Sequence, residues 1–587
     1  MRIYGAILLL LASFPALADD LTVGWISRQP EKEYVWGSSN PKVEGWPAVG
    51  EQVAWRAHVR SYGSTAHPGV RYRWLLNDQE VATGTVTIAA NGITTVDYPS
   101  SWTFERRRLR FVIDTAGAVA EESETNNALE VYTDALSVGF WIEQSVYDRF
   151  REKQPLLGVG ASGFEDYAQR HIELYNDMAA LAVYLETPNG VLDRFRLQKI
   201  VVVPDDALPL VKLDDFGVRD GEPNAEMIPD KSDRTVDLQW GFPKSIIGKY
   251  VRTDQRSPRN PLYIDGYVLH ELGHARYLID VYAWNVRHLP PHYSVDIQEN
   301  GATIFGRYIL NSSRPYETPE QGLMNEHFTF YDRYSAIVMN RIAGHRATRG
   351  NYNEPENFGE FVNDLPAENR LTIRDRDGIA LADADVWIYR GEGKSDAWYA
   401  AVFDNVPDMK LKTDANGQVL VGRSPFSADG RIVQYWQNNN STAIVRVASG
   451  ERVLYGFLES RLFNLAYWRG DTQLADHELR VGMPYCGNLG VSLTAPEWDA
   501  RDVEPNVTLR WTRLERANLY RVYASTNGGP ARLIGTTGST SLTTQLSGKV
   551  YWWVEADGND CAMRRSSAGR FYAKSATSGP RRRAVRR

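Results

Sequence analysis

Residues 263–282 have the sequence YIDGYVLHELGHARYLIDVY, which contains the pattern H-E-x-x-H. On an α-helix, positions four apart lie about 40° from one another, so His270 and His274 share one face. Two imidazoles on one face can bind a single zinc ion, with Glu271 beside them to take a proton from a zinc-activated water. Apolar residues in the stretch indicate that the helix packs against a core: Ile264, Val268, Leu269, Leu272 and Leu278.

A catalytic zinc needs three protein ligands and one open position. The stretch is similar to the zinc-binding segment of metzincins, and most of all to snapalysin-like secreted bacterial peptidases, which place an aspartate where Asp280 stands. The resemblance implies that Asp280 is the third ligand. It also implies a sharp turn after His274, because on a continued helix Asp280 would lie about 120° away. Metzincins carry a glycine at the position that Tyr277 occupies here.

Four other residues remain candidates for the third ligand: Glu299, which would make the site gluzincin-like, His327, His292 and His288. The segment Gly322-Leu323-Met324-Asn325 resembles the methionine turn of metzincins in order and approximate separation. This implies that Met324 forms an apolar floor beneath the metal. Some metzincins hold a tyrosine two residues later, where this chain has Glu326. The candidates for stabilising the transition state are Tyr331, Tyr334 and His327.

The chain has 587 residues, so about three to five domains are expected. Its net charge of −7 argues against nucleic acid as a partner. Residues 1–18 resemble a secretory signal peptide, with Arg2 first, an apolar run next and Ala16-Leu17-Ala18 last. No later stretch has the roughly 18 apolar residues that a membrane span needs. We therefore expect export to the periplasm, the cell surface or the medium, without a transmembrane segment.

Cys486 and Cys561 are the two cysteines of the chain. In the oxidising compartment that export implies, the simplest expectation is one disulfide between them, which would close a C-terminal domain. Neither cysteine is near the H-E-x-x-H pattern in the sequence, so cysteine ligation of the metal is not expected.

Residues 19–135 show short runs of period-two alternation broken by turn residues, which is typical of a β-sandwich. The clearest predicted strands are 53–59, 70–75 and 109–114. The segments GEQVAWRAHVRSYG, GVRYRWLLNDQEVATG, LRFVID and EESETNNALEV, in this order, resemble the CARDB family of bacterial immunoglobulin-like modules. The resemblance implies an adhesion or spacer module without catalytic residues.

Residues 136–350 show a mixed pattern, and we expect an α+β zincin-like metallopeptidase domain there. The apolar spacing predicts helices over 165–186 and 331–346. One predicted strand, Leu197–Val203, ends before Pro204. A second strand over 236–240 is a candidate edge strand that would pair with an extended substrate.

The remainder of the chain divides into four segments. Residues 351–370, rich in Asn, Glu, Pro and Gly, indicate a linker. Residues 371–485 contain LTIRDRDGIALADADVWIYR and resemble the carboxypeptidase-regulatory-like β-sandwich family. Residues 486–575, with VTLRWTRLERANLYRVYAS and VYWWVEA, resemble a fibronectin type III domain. Residues 576–587 form a basic tail that is expected to be disordered.

The expected fold class is therefore an α+β zincin-like domain flanked by three all-β immunoglobulin-like sandwiches. The expected function is that of a secreted zinc-dependent endopeptidase with Glu271 as general base, acting on proteins or peptides. The sandwiches would contact a cell surface or a glycan, or act as spacers. Two alternatives stay open. One is a surface adhesion or glycan-binding protein with an inactive peptidase-like domain, and the other is a zinc hydrolase acting on a non-peptide amide.

Overall fold

The structure is a computed structural model, which describes residues 19–34, 45–157, 161–208, 233–244, 265–276, 278–286, 293–309, 315–346, 361–391, 401–435, 438–483, 491–514, 517–558 and 561–575. These residues form a multidomain, mostly β protein in which sandwich modules surround a central region that contains helices. The predicted signal peptide and basic tail lie outside the described residues. No helix among the described residues is long and apolar enough to cross a membrane.

The first sandwich packs two antiparallel sheets, ordered β1-β2-β5 and β4-β3-β6-β7. Its strands are β1 Leu21–Gln29, β2 Gln52–Ser61, β3 His67–Leu76, β4 Gln79–Ile88, β5 Ile93–Ser101, β6 Arg108–Ile113 and β7 Ala128–Tyr132. The period-two pattern of β2 buries Trp55 against Trp74 of β3 and Phe111 of β6 in one core. The three strands predicted here from alternation are confirmed.

The central region is built on a parallel sheet with the order β10-β8-β9. Its helices and strands are β8 Leu136–Glu143, α1 Gln144–Lys153, α2 Phe164–Leu181, β9 Phe195–Val203, β10 Leu238–Phe242, α3 Gly266–His274, β11 Tyr293–Val295, β12 Gln298–Glu299, β13 Ala302–Thr303, α4 Ile304–Arg307, α5 Leu323–Glu326 and α6 Arg333–Arg341. The candidate substrate-pairing strand is β10, which stands at the edge of this sheet among the described strands.

The predicted end of α2 is wrong by five residues, since the helix stops at Leu181 rather than 186. A local turn ends it, because the Thr187 hydroxyl donates to the Ala182 carbonyl at 2.7 Å. Beyond the helix, Leu185 is 83% exposed, so its apparent helical spacing does not correspond to a buried face. The helix predicted over 331–346 is the shorter α6. It begins where the Asp332 carboxylate accepts from the Ser335 backbone N–H at 2.8 Å.

Two further sandwiches follow; because the central region is the second module of the chain, we call them the third and the fourth sandwich. The third contains β14 Glu368–Arg374, β15 Asp385–Arg390, β16 Ala401–Phe403, β17 Met409–Lys412, β18 Gln418–Leu420, β19 Gln434–Tyr435, β20 Asn438–Asn439, β21 Thr442–Ser449, β22 Arg452–Glu459, the unpredicted helix α7 Ser460–Trp468 and β23 Leu474–Arg480. The fourth contains β24 Leu493–Ala495, β25 Ala500–Val503, β26 Asn506–Trp511, β27 Ala517–Thr526, β28 Arg532–Thr537, β29 Ser541–Gln545, β30 Gly548–Gly558, β31 Cys561–Arg565 and β32 Gly569–Ala573.

The predicted disulfide lies outside the described residues, since Cys486 and the side chain of Cys561 are not described.

Both C-terminal sandwiches pack directly on the central region. Strand β11 pairs in parallel with β16 of the third sandwich. In the fourth sandwich, Lys549 pairs with Asp177 of α2 at 3.2 Å, and the buried Arg570 pairs with Glu173 at the same distance. The described part of the predicted linker is also packed, because Phe361, Val362 and Leu365 are buried and β14 begins at Glu368.

Candidate metal centre

Helix α3 is short, and a buried histidine holds its first turn. The Asp265 side chain caps the helix by accepting from the Tyr267 N–H at 3.1 Å. The Asp265 N–H in turn donates to Nε2 of His171 at 2.8 Å, while Nδ1 of His171 faces the Tyr167 carbonyl at 2.7 Å. His171 is fully buried, and this burial lowers its pKa to about 3. His171 is therefore a neutral structural residue.

The end of α3 is held by its backbone and by a buried arginine. The Leu278 N–H donates to the Gly273 carbonyl at 3.2 Å, a six-residue closure typical of a helix that ends and reverses direction. Arg276 is fully buried, pairs with Asp193 and donates to the Ile342 carbonyl at 3.0 Å. The helix therefore stops at His274, as the proposed third ligand requires. Tyr277, in the position of the metzincin glycine, lies outside the described residues.

The chain reversal brings His270, His274 and Asp280 together. One ligand atom from each residue lies within 4.8 Å of the others, and this is the group among the described residues that could hold a metal ion. Nε2 of His270 is 2.9 Å from Oδ1 of Asp280, and Nε2 of His274 is 3.3 Å from the same oxygen. A tetrahedral zinc ion with bonds of about 2.0–2.1 Å places its ligand atoms about 3.3 Å apart. The two distances to Oδ1 of Asp280 are close to this value, and all three atoms lie within 4.8 Å of one another.

The hydrogen bonds of the two rings direct their lone pairs inward. Nδ1 of His270 lies 3.0 Å from the Leu323 carbonyl, and Nδ1 of His274 lies 2.7 Å from the Leu278 carbonyl. A carbonyl can only accept, so each Nδ1 carries a hydrogen, and the Nε2 atom of each ring faces the Asp280 carboxylate. With both rings neutral, the two Nε2 lone pairs and the carboxylate are three acceptors that one metal ion would satisfy at once. Backbone carbonyls commonly orient metal-binding histidines in this way.

The electrostatics favour an ionised Asp280. Burial raises the pKa of this carboxyl, but His274 and His270 beside it outweigh burial and hold the pKa well below its ordinary value. Glu271 lies on the same helix, with Oε2 3.9 Å from Nε2 of His274 and a side chain that is 8% exposed. The Glu271 carboxylate thus lies next to the three candidate ligands and is not itself one of them.

Met324 lies under α3, as the methionine-turn resemblance implies. A Cβ added to Gly273 would stand 2.8 Å from the Met324 sulfur, so the helix and the Met324 side chain are in close contact. Met324 is fully buried, and its neighbour Leu323 supplies the carbonyl that faces His270. The segment therefore provides both an apolar floor and a polar contact to one ligand.

Of the competing third ligands, the structure separates Glu299 from the site. The Glu299 carboxylate accepts from Arg446 at 2.6 and 2.8 Å and from the Tyr455 hydroxyl at 3.0 Å, so the third sandwich holds it. His288 and His292 lie outside the described residues. The ring of His327 lies 4.6 Å from that of His270, although His327 is not a member of the ligand group.

The three candidates for stabilising the transition state lie in different surroundings. Tyr331 and Tyr334 are buried in the core, where their rings contact Tyr175 and Trp284 respectively. His327 is half-buried beside His270, in a left-handed conformation with φ +57° at the end of α5. The side chain of Glu326 is not described.

Sequence reasoning missed several residues that build the site. Tyr282 lies two residues after Asp280, with its ring nearly parallel to that of His270 at 6.3 Å. His171 and Arg276 fix the two ends of α3. Neither His171 nor Arg276 belongs to a recognisable sequence motif, so their roles can be seen only from their contacts in the structure.

Comparison with known proteins identifies the first sandwich. Residues 34–131 match the CARDB family, which confirms that prediction. A CARDB domain of a Pyrococcus furiosus protein is similar to the chain, with 17% identity over 20% of this chain and 94% of that domain and a TM-score of 0.16. No curated protein sequence matches the chain.

Two other solved structures are similar to parts or most of the chain. Fibronectin(III)-like modules of Clostridium thermocellum CbhA show 13% identity over 14% of this chain and 94% of that one, with a TM-score of 0.12. A β-glucuronidase from Parabacteroides merdae shows 8% identity over 93% of this chain and 78% of that one, with a TM-score of 0.17. At these values the similarities carry no functional argument.

Proposed function

We propose that this protein is a secreted zinc-dependent endopeptidase whose central region is a zincin-like catalytic domain. The observation that carries the proposal is the convergence of His270, His274 and Asp280 within 4.8 Å. Both ring Nδ1 atoms are hydrogen-bonded to backbone carbonyls, so the two Nε2 atoms and the Asp280 carboxylate face one another. Such a set of donor atoms binds zinc well.

The zinc ion, when bound, supplies Lewis-acid activation of the attacking water and of the scissile carbonyl. Glu271 stands beside the ligand group, 3.9 Å from Nε2 of His274, and acts as general base. It accepts a proton from the water as the water attacks the peptide carbon, and it delivers that proton to the leaving amine. The two ring Nδ1 hydrogen bonds keep both imidazoles in one tautomer and one orientation.

A peptide substrate is favoured by the strand next to the helix. β10 is the edge strand of the parallel sheet among the described strands, and its Trp240 contacts Tyr267 of α3 at 6.0 Å between ring centroids. An extended peptide can add to such an edge through backbone hydrogen bonds, which would place it along the helix that carries the ligands. A small non-peptide amide could not use this edge.

The test is Glu271→Gln in the full chain. We expect the variant to keep about one zinc per chain and to lose casein cleavage by a factor of about 10²–10⁴, because a general base contributes that much. Glu152→Gln on α1 is the matched control, since the Glu152 side chain is 67% exposed and belongs to no site. Wild-type cleavage by Glu271→Gln would contradict the proposed mechanism.

The same measurement separates the alternatives. Zinc binding by the wild type without any cleavage of casein or peptides would favour an inactive domain in an adhesion protein, or a non-peptide amide substrate. Absence of zinc binding by the wild type would overturn the metal centre itself.

A further inference from the structure

The turn that carries Asp280 ends in two buried carbonyl groups. Asp280 precedes a single turn of 3-10 helix, Val281–Trp284, whose residues Ala283 and Trp284 are buried. The last carbonyls of a helical turn have no partner within the turn, and a buried carbonyl without a donor is costly. The two carbonyls that close this turn therefore need donors from elsewhere in the molecule.

The third sandwich supplies both donors. The Asn439 side chain donates to the Ala283 carbonyl at 2.5 Å, and the Thr442 hydroxyl donates to the Trp284 carbonyl at 2.9 Å. Asn439 and Thr442 are themselves buried. They lie about 160 residues away from the turn in sequence, so no local pattern connects them with Asp280.

The two donors are held firmly within their own module. Oδ1 of Asn439 accepts from the Ser441 N–H at 3.0 Å and from its hydroxyl at 2.6 Å, which fixes the amide with its NH₂ group toward Ala283. Thr442 is the first residue of β21 and pairs with Glu459 of β22 in the sheet ladder. Both donors are therefore held in place by hydrogen bonds within the sandwich.

The opposite side of the turn is held by the central region. The Asn285 side chain donates to the Asn325 side chain at 3.3 Å and accepts from the Thr318 N–H at 2.7 Å. Asn325 follows Met324, which lies under α3. The turn after Asp280 is therefore fixed between the methionine segment and the third sandwich.

We propose that Asn439 and Thr442 are positioning residues for the metal ligand Asp280, so that the third sandwich is a structural part of the zinc site. This inference rests on the proposed function, because it needs a metal at His270, His274 and Asp280. α3 presents both histidines without help from the sandwich. The carboxylate, in contrast, depends on the sandwich for the position of the turn that follows it.

The experiment measures the zinc affinity of the folded full chain by competition with a chelator. We expect Thr442→Val, which removes the donor and keeps the shape, to weaken zinc binding about 10–100-fold, the usual effect of losing a group that orients a ligand. Asn439→Asp, which replaces the donating NH₂ by an acceptor, is expected to do the same. Thr442→Ser keeps the hydroxyl and should restore wild-type affinity.

Thr413→Val is the matched control. The Thr413 hydroxyl is buried in the same sandwich, where it donates to the Leu381 carbonyl at 2.6 Å and accepts from the Ala384 N–H at 2.8 Å. Its loss destabilises the sandwich without touching the turn, so the unfolding midpoint should fall while zinc affinity stays unchanged. The visible spectrum of the cobalt(II)-loaded protein should change in Thr442→Val and not in Thr413→Val.

The outcomes distinguish this inference from the proposed function. Stoichiometric zinc binding by the wild type, with equal affinities for Thr442→Val, Asn439→Asp and Thr413→Val, would overturn the positioning role and leave the peptidase proposal intact. No zinc binding by the wild type would overturn both. If Thr442→Val does not fold, Asn439→Asp compared with Thr413→Val decides the question.

Discussion

The first sandwich and the ligand segment at 265–286 are held together in opposite ways. In the sandwich, the strands are held by ladders of backbone hydrogen bonds, and β2 also shows period-two burial, so many contacts specify the same arrangement. The ligand segment has nine residues of helix and one turn of 3-10 helix, and its position depends on single contacts from distant parts of the chain. We therefore expect the first arrangement to tolerate the loss of any one contact better than the second.

The difference has a functional consequence. A metal centre needs its ligand atoms within a few tenths of an ångström of their bonding positions, and a short helix cannot supply that precision alone. In the proposed zinc site, this precision would come from buried polar groups outside the segment. Substituting any of these groups therefore tests whether the ligand segment is more sensitive to a single change than the sandwich is.

The largest effect is expected from removing a ligand. Asp280→Ala takes away the ligand that the turn supplies, and His270→Ala takes away one that the helix supplies. Both should lower zinc affinity by more than the roughly 10–100-fold that outer contacts cost, as measured by chelator competition. Glu299→Ala is the control, because Arg446 and Tyr455 hold that carboxylate in the third sandwich. Zinc loss in Glu299→Ala alone would refute the assignment of Asp280.

The next effect concerns the buried arginine at the end of α3. Arg276→Met leaves the buried Asp193 carboxylate without its charged partner, which should lower the free energy of unfolding by about 3–5 kcal/mol. Denaturant unfolding of the full chain measures this change in the transition that reports the central region. Adding Asp193→Asn should recover part of the loss, because the unpaired charge is then removed. A double variant no more stable than Arg276→Met would contradict this explanation.

A smaller effect is expected from pH through His171, at the start of α3. Its folded pKa of about 3 lies below the value of about 6.5 in the unfolded chain, so between these pH values only the unfolded chain takes up the proton. His171 therefore contributes fully above about pH 6.5, and stability falls by about 1.4 kcal/mol per pH unit as the pH drops toward 3.

The variant His171→Gln should remove that part of the slope in unfolding experiments between pH 6 and pH 4. Burial also lowers the pKa of His58 and of His477 to about 4, and these two contribute equally to wild type and variant. An unchanged slope in His171→Gln would show that His171 is protonated in the folded protein.

The smallest effect is expected in the first sandwich. Arg56 and Asp97 are cross-strand neighbours on β2 and β5, joined by two hydrogen bonds of 2.8 Å, and both side chains are exposed. A double-mutant cycle with alanine should give a coupling free energy of about 0.2–1 kcal/mol, decreasing in high salt. A coupling free energy as large as that of Arg276 and Asp193 would contradict the expected difference in sensitivity between the two regions.

The sequence predicted those parts of the molecule in which the role of a residue depends on residues a few positions away in the chain. Alternation placed the strands at 53–59, 70–75 and 109–114, and the four-residue spacing placed His270 and His274 on one helix face. Local patterns failed at the end of α2, where exposed Val183 and Leu185 continue an apolar spacing beyond the last turn.

By itself, the sequence determined the sandwich pattern of the first module and the helix that carries two histidines and a glutamate, because burial periodicity and helical spacing act over a few residues. Only the tertiary structure decided that Asp280, rather than Glu299, lies against the histidines. It also decided that Asn439 and Thr442 hold the turn behind it. The reason is physical: a buried carbonyl or carboxylate needs a hydrogen-bonding partner, and that partner can come from any part of the chain that is near in space. The spacing of residues along the chain therefore does not predict which residue the partner is.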